Sequence, residues 1–234
     1  MGDTAVDEWK NAAATWAADQ LQDGMVVGLG SGSTASFTVA AIGRRMKNGL
    51  RVTGVPTSEK TAAEARSLGI PLTTLGDYDT LDVTIDGADE VDPKTLHLIK
   101  GGGGNLLREK IVAASSQRLV IVVDETKIVD RLGSHAKLPV EVTQFGWQST
   151  ARRLASLGST PTLRTAADGS PFLTDGANYI LDCAFALIAD ARTLQAQLDG
   201  VVGVMEHGLF VGLTSRVVIG SRTGVRILDP TGSE

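Results

Sequence analysis

Along the first half of the chain, apolar residues alternate between two spacings. Trp9, Ala12, Ala13, Trp16, Ala17 and Leu21 recur at helical intervals and predict a helix over Ala5–Gln22 that stops at Gly24. Met25–Leu29 is a short apolar run of strand length, and the loop Gly30–Thr34 leads into a second helix through about Lys47. Arg51–Val55 predicts another strand, after which Pro56-Thr57-Ser58 supplies a hydroxyl cap for a helix ending at Gly69. Leu72–Leu75, Asp82–Asp86 and Leu119–Val123 read as strands, with a helix over Asn105–Ala114 between the last two. Strands alternating with helices predict βαβ units and a mostly parallel sheet. Ligands bind such sheets beyond the carboxyl ends of the strands.

Past Ser134 the pattern changes. Leu138–Val142 predicts a strand, Trp147–Leu157 a helix, Thr160–Arg164 and Tyr179–Phe185 strands, Thr193–Leu198 a helix and Val201–Glu206 a strand. That βαββαβ order fits a small α+β sandwich. Leu209–Leu213 and Val217–Leu228, with a turn at Arg222-Thr223-Gly224, read as strands that return to the first sheet. No repeat or low-complexity linker interrupts the chain.

Composition narrows the class. With 22 basic and 27 acidic side chains the net charge is 22 − 27 = −5, which argues against a nucleic-acid binder working by bulk charge. Cys183 is the single cysteine, so no intramolecular disulfide exists, and its bland reading is a small buried hydrophobe. His97, His135 and His207 show no zinc spacing with it. No apolar run is long enough to span a membrane, and the acidic start does not resemble a signal peptide, so the expectation is a cytoplasmic protein. Glycine is in surplus: 27 of 234 residues, about 11.5% against an average near 7%. Seven of these lie at Gly28, Gly30, Gly32 and Gly101–Gly104, where backbone would meet a ligand.

Four segments carry candidate chemistry. Gly28-Leu-Gly-Ser31-Gly32-Ser33-Thr34 lies between a strand and a helix, so helix N–H groups and three hydroxyls can converge on an anion. It lacks the sixth-position glycine of a dinucleotide fingerprint and the lysine of a P-loop, and it reads equally as a tight capped turn. Asp86-Gly87-Ala88-Asp89-Glu90 places two carboxylates at a strand end, where they can hold sugar hydroxyls or exchange protons, or form a solvated acidic turn. Lys100-Gly101-Gly102-Gly103-Gly104-Asn105 precedes a helix bearing Glu109, a pattern fit for backbone against ligand beside a cation and a base. Taken alone, Glu109 also reads as a surface helix residue. Lys127 follows the strand Leu119–Val123 at the same sheet edge, where a plain surface lysine is the alternative.

Together with Arg108-Glu109-Lys110, Leu138-Pro-Val-Glu-Val142 and Glu206-His-Gly-Leu-Phe210, these segments resemble the type A ribose-5-phosphate isomerases in order and spacing over essentially the whole chain. The resemblance implies an α/β fold: a Rossmann-like mostly parallel sheet domain over 1–133 plus 209–234, and a smaller α+β ferredoxin-like lid domain over 134–208. It implies interconversion of ribose 5-phosphate and ribulose 5-phosphate in pentose phosphate metabolism, with no metal or organic cofactor. The expected partner is the sugar phosphate alone, without nucleic acid or membrane, in a homodimer or homotetramer. Carried over by position, Glu109 is the proton-transferring base, Asp86 and Asp89 contact sugar hydroxyls and assist ring opening, and Lys100 is the positive group beside them. Ser31, Gly32, Ser33 and Thr34, then Gly87, Ala88, Gly101, Gly102 and Gly103, bind substrate, and Lys127 and Lys10 serve its phosphate. Gly104-Asn105 stands where the family has a small pair such as Ala-Ala, which alters the floor of the pocket. The alternatives are a non-catalytic sugar-phosphate sensor, which would normally carry a DNA-binding appendage, and an amino-sugar-phosphate deaminase, which needs its own histidine arrangement.

Overall fold

The computed structural model describes residues 3–230. In chain order the first part runs α1 (Asp3–Asp19), β1 (Val26–Leu29), α2 (Ser33–Lys47), β2 (Thr53–Pro56), α3 (Glu59–Ser67), β3 (Val83–Asp86), β4 (Glu90–Val91), β5 (Leu98–Ile99), α4 (Leu106–Ala114) and β6 (Leu119–Asp124). The second part runs β7 (Leu138–Val142), α5 (Trp147–Ser156), β8 (Thr160–Leu163), β9 (Tyr179–Ala184), α6 (Ala191–Asp199), β10 (Val204–His207), β11 (Leu209–Phe210), β12 (Thr214–Ser221) and β13 (Gly224–Leu228).

The central sheet has the order β13-β12-β6-β3-β1-β2 and is parallel except for the edge hairpin β12–β13. Successive strand residues face opposite layers, as the period of two requires. Val27, Leu29, Val122 and Val218 meet α1 and α2 on one face. Val26, Val55 and Leu81 meet Val112 of α4 on the other, where Ile121, Val123, Val217 and Ile219 also pack on Leu98 and Phe210. Each fully buried aliphatic side chain of this kind contributes roughly 1.5–3 kcal/mol.

Between Leu138 and His207 an antiparallel sheet of order β10-β7-β9-β8 carries α5 and α6 on one face. Within that unit the strand order is fourth, first, third, second, the ferredoxin-like arrangement. Leu154, Leu194 and Leu198 pack there on Val140, Leu181 and Cys183. Burial pushes the Cys183 thiol up to about 12, in keeping with a small core hydrophobe. A third sheet, β11-β5-β4, bridges the two larger ones.

The structure corrects several expected elements. Leu72–Leu75 is no strand: Leu72 makes a single bridge to Gly54, and Asp77 then draws the chain into a turn by accepting from Thr73 and Thr74. Leu209–Leu213 does not return to the central sheet, because Leu209 and Phe210 pair with Ile99 and Leu98; the return begins at Thr214. The first helix ends at Asp19, three residues early, and the last strand of the ferredoxin-like unit starts at Val204, after Gly203 at φ +95°. β4 and β5 were not expected, since two-residue strands leave no periodic signal.

Candidate active site

The anion loop lies where β1 gives way to α2. Gly32, with φ +100°, stands at the cap position and offers no side chain, so the helix N–H groups open toward the cavity. The first intrahelical bond runs from Ser36 N–H to Gly32 C=O, which leaves the N–H groups of Ser33, Thr34 and Ala35 without helical partners. Ser33 is exposed and Thr34 buried at this helix start. Ser31 differs from expectation: its hydroxyl does not join Ser33 and Thr34 but turns inward, hydrogen-bonded to Thr57 Oγ1 at 2.7 Å, Ser58 Oγ at 2.8 Å and Thr61 Oγ1 at 3.1 Å. Thr61 in turn donates to Gly30 C=O and Thr57 to Leu29 C=O, each at 3.1 Å. Nothing in the spacing of Thr57 and Thr61 signals this support, because their partners are more than 25 residues away.

At the adjacent strand end, Asp86 accepts N–H bonds from Ser31 (3.1 Å) and Gly87 (2.7 Å) through one oxygen and meets the Lys100 ammonium at 3.1 Å through the other. Lys100 also lies 3.4 Å from Glu109 Oε1 and donates to Gly87 C=O at 2.5 Å. All three side chains are buried, at 2%, 2% and 4% exposure for Asp86, Lys100 and Glu109, so two carboxylates share one cation away from water. Burial opposes the Lys100 charge, but Asp86, Glu109 and Asp89 outweigh it and push the ammonium up to about 12. Burial first, then the Asp86 charge, push Glu109 up to about 8 against the pull of Lys100. Burial also raises Asp86, against Lys100 and its two N–H donors. The two carboxyls share the Lys100 ammonium, and Glu109 Oε2 has no hydrogen-bond partner among the described residues.

Asp89 accepts the Gly102 N–H at 2.7 Å, bringing the glycine run against the acidic segment. Gly101, Gly102 and Gly103, with Gly87, Ala88, the α2 start, Lys100, Glu109 and Lys127, enclose a cavity of about 90 Å³. It joins, at Asp89, Gly102 and Lys127, a cleft of about 420 Å³ that also presents Lys137 and Arg164. Lys127 sits on a single 3₁₀ turn, Glu125–Lys127, capped by Asp124, which accepts from Thr126 N–H at 3.0 Å. Lys10 is the residue the structure does not bring here: its ammonium meets Asp7 at 3.3 Å on α1, outside the residues lining the cavity. Glu90, at the end of the acidic segment, is fully buried and accepts the N–H groups of Gly133, His135 and Ala136, fixing the wall of the larger cleft.

Two other features stand apart from this cluster. Asp199, Glu206 and His207 converge closely enough to suggest a metal, but the Lys110 ammonium is already 2.6 Å from Glu206 and offsets one of the two carboxylate charges. Burial and Lys110 hold the His207 imidazole down at about 4, so it is neutral, as its place in the Glu-His-Gly-Leu-Phe segment rather than a catalytic set suggests. A groove of about 450 Å³ between α3 and α4 is lined by Val55, Ala62, Leu72, Leu75 and Ile111 and contains none of the acid–base groups. No helix among the described residues is long and apolar enough to cross a membrane.

Residues 53–224 match the family model described as ribose 5-phosphate isomerase A (phosphoriboisomerase A). The chain is 54% identical over 228 residues to the ribose-5-phosphate isomerase A of Gloeobacter violaceus, covering 97% of this chain and 99% of that relative. It is similar to a solved structure of a D-ribose-5-phosphate isomerase in complex with phospho-erythronic acid, with a TM-score of 0.93 and 36% identity over 96% of this chain and 99% of the other. The ribose 5-phosphate isomerase of Plasmodium falciparum superposes with a TM-score of 0.92 and 39% identity, over 97% of this chain and all of that one (100%).

Proposed function

The chain belongs to the ribose 5-phosphate isomerase A family and interconverts ribose 5-phosphate and ribulose 5-phosphate, and from that premise we propose how this cavity performs the reaction. The observation that carries the proposal is the buried Asp86–Lys100–Glu109 cluster with an unpartnered Glu109 oxygen. Aldose–ketose isomerisation needs a base for a weak carbon acid and positive or donor groups where the oxyanion develops. Ionised Glu109 removes the C2 proton of the open-chain aldose, leaving a 1,2-enediolate; a second proton passes from the C2 hydroxyl to O1, and Glu109 returns its proton to C1 as the C2 oxygen becomes the ketone. The Lys100 ammonium and the glycine-run N–H groups stabilise the charge on oxygen. Asp86 and Asp89 exchange protons with the ring oxygen and O1 to open the furanose. The phosphate lies at the N–H groups and hydroxyls of Ser33 and Thr34, with Lys127 opposite, and its binding energy orients the reacting carbons.

Support for these roles is geometric: the α2 start, Gly87–Asp89, Lys100–Gly103, Glu109 and Lys127 line one cavity, and Asp86 is buried beside it on the Lys100 ammonium. A sensor would have no use for a buried, mutually perturbed base and cation. The domain boundaries 1–133 plus 209–234 and 134–208 belong to the same reading, supported by a separate hydrophobic core beneath the ferredoxin-like sheet. So do the pentose phosphate pathway, a cytoplasmic setting and assembly into a homodimer or homotetramer. Adding ribose 5-phosphate to the purified protein should yield ribulose 5-phosphate at a rate unchanged by EDTA. Binding without product would favour the sensor, and inhibition reversed by a divalent metal would overturn the metal-free scheme.

A further inference from the structure

Arg164 follows β8 and crosses from the ferredoxin-like unit to the active-site glycines. Its Nη1 donates to Gly101 C=O and to Gly102 C=O, both at 3.0 Å. The rest of the guanidinium is held by Asp182 on β9, through Nε at 2.9 Å and Nη2 at 2.5 Å, a bidentate pair that fixes its plane. Phe172 lies beneath the guanidinium, 5.8 Å from Cζ to ring centroid. The same ring fills the space where Gly104, at φ +84°, would carry a Cβ, since a methyl there would lie 2.6 Å from Phe172 Cε1. Two side chains of the second unit therefore grip consecutive parts of one loop.

We propose that Arg164 is a positioning residue for catalysis: held by Asp182, it sets the two peptide planes that aim the Gly102 and Gly103 N–H groups. In a planar trans peptide the carbonyl of one residue and the N–H of the next point in opposite directions. Holding Gly101 C=O on Arg164 thus turns the Gly102 N–H the other way, onto Asp89 at 2.7 Å. Holding Gly102 C=O likewise turns the Gly103 N–H away from Arg164, on a residue that lines the 90 Å³ cavity. A glycine run has no side chains to fix its own peptide orientations, so an outside clamp is what makes such N–H groups preorganised donors. The inference rests on the isomerase reading above, because it assigns the Gly103 N–H to the enediolate, while the Gly102 N–H fixes Asp89.

Arg164→Lys supplies one ammonium where the fork spans two carbonyls and a carboxylate, and Asp182→Asn loosens the fork without removing it. Each variant should lower kcat for ribose 5-phosphate by about 10-fold or more, with KM moving less than about 2-fold, because donors aimed only at the transition state are lost. Affinity for phospho-erythronic acid, whose planar carboxylate mimics the enediolate, should weaken by the same factor as kcat. Normal kcat in folded Arg164→Lys would overturn the proposal, and so would a fall in kcat with acid affinity unchanged. If Arg164→Lys does not fold, Asp182→Asn decides by the same two readouts. Failure of the isomerase reading is distinct, since the unmodified protein would then form no ribulose 5-phosphate at all.

Discussion

In the proposed mechanism Glu109 is suited to the base by what it lacks. Asp86 has two N–H donors and Lys100, whereas Glu109 has Lys100 on one oxygen and nothing on the other, so burial holds its proton up to about pH 8. If the ionised form is the base, kcat/KM should rise with pH and level off above about 8. A profile flat from pH 6 to 9 would remove Glu109 from the role. The same shift costs stability: a carboxyl whose folded value is raised from 4.5 to about 8 favours the fold below pH 4.5 and loses that contribution as pH climbs to 8. Glu109→Gln should therefore melt higher than the unmodified protein at pH 9, by roughly 2–4 °C per kcal/mol recovered, with the gap closing toward pH 4. Equal melting temperatures across that range would show that the carboxylate is not strained.

Short elements, each ending at the same edge, bring these residues together. β1, β3 and β6 deliver the anion loop, Asp86 and the Lys127 turn because parallel strands share one carboxyl edge. That much was legible in the alternation of strand and helix patterns, and so were the four motifs at the strand ends. What sequence could not show is which atoms turn inward. Ser31 looks like a phosphate ligand and is instead tied into hydroxyls from the β2–α3 connection, a contact made only by folding. The glycine run looks uniform, yet Gly104 is dictated by Phe172 from another unit while Gly102 and Gly103 face the cavity. Lys10, on a helix whose pattern says nothing of its position along the sheet, pairs with Asp7 and is not among the residues that line the cavity. Thr61→Val removes the bonds to Ser31 and Gly30. At about 0.5–1.5 kcal/mol for a hydrogen bond, KM for ribose 5-phosphate should rise roughly 2–10-fold while kcat changes little. An unchanged KM would show that the loop needs no such brace.

At the scale of the whole molecule, the segment Glu206–Phe210 joins the parts. Gly208 N–H donates to Pro139 C=O at 2.8 Å, and its C=O accepts Lys100 N–H at 2.9 Å, so the ferredoxin-like sheet is tied to the backbone of a site residue. Phe210 lies under both Lys100 and Lys110, 5.5 and 5.1 Å from ring centroid to ammonium. A methyl on Gly208 would lie 2.2 Å from Lys100 C=O, a backbone atom that cannot step aside. Gly208→Ala should cost about 1–3 kcal/mol of stability and also reduce turnover, because relief of the clash moves Lys100. Full activity in that variant would mean that the junction and the site are independent. The central claim, that Glu109 carries a proton between C2 and C1 in this buried cluster, is tested most directly by incubating the unmodified protein and Glu109→Gln with ribose 5-phosphate in D2O and following the C2 proton by NMR. The unmodified protein should form ribulose 5-phosphate and exchange solvent deuterium into the sugar. The variant should still bind but lose turnover and exchange by about 100-fold or more, and near-normal exchange in Glu109→Gln would contradict the account.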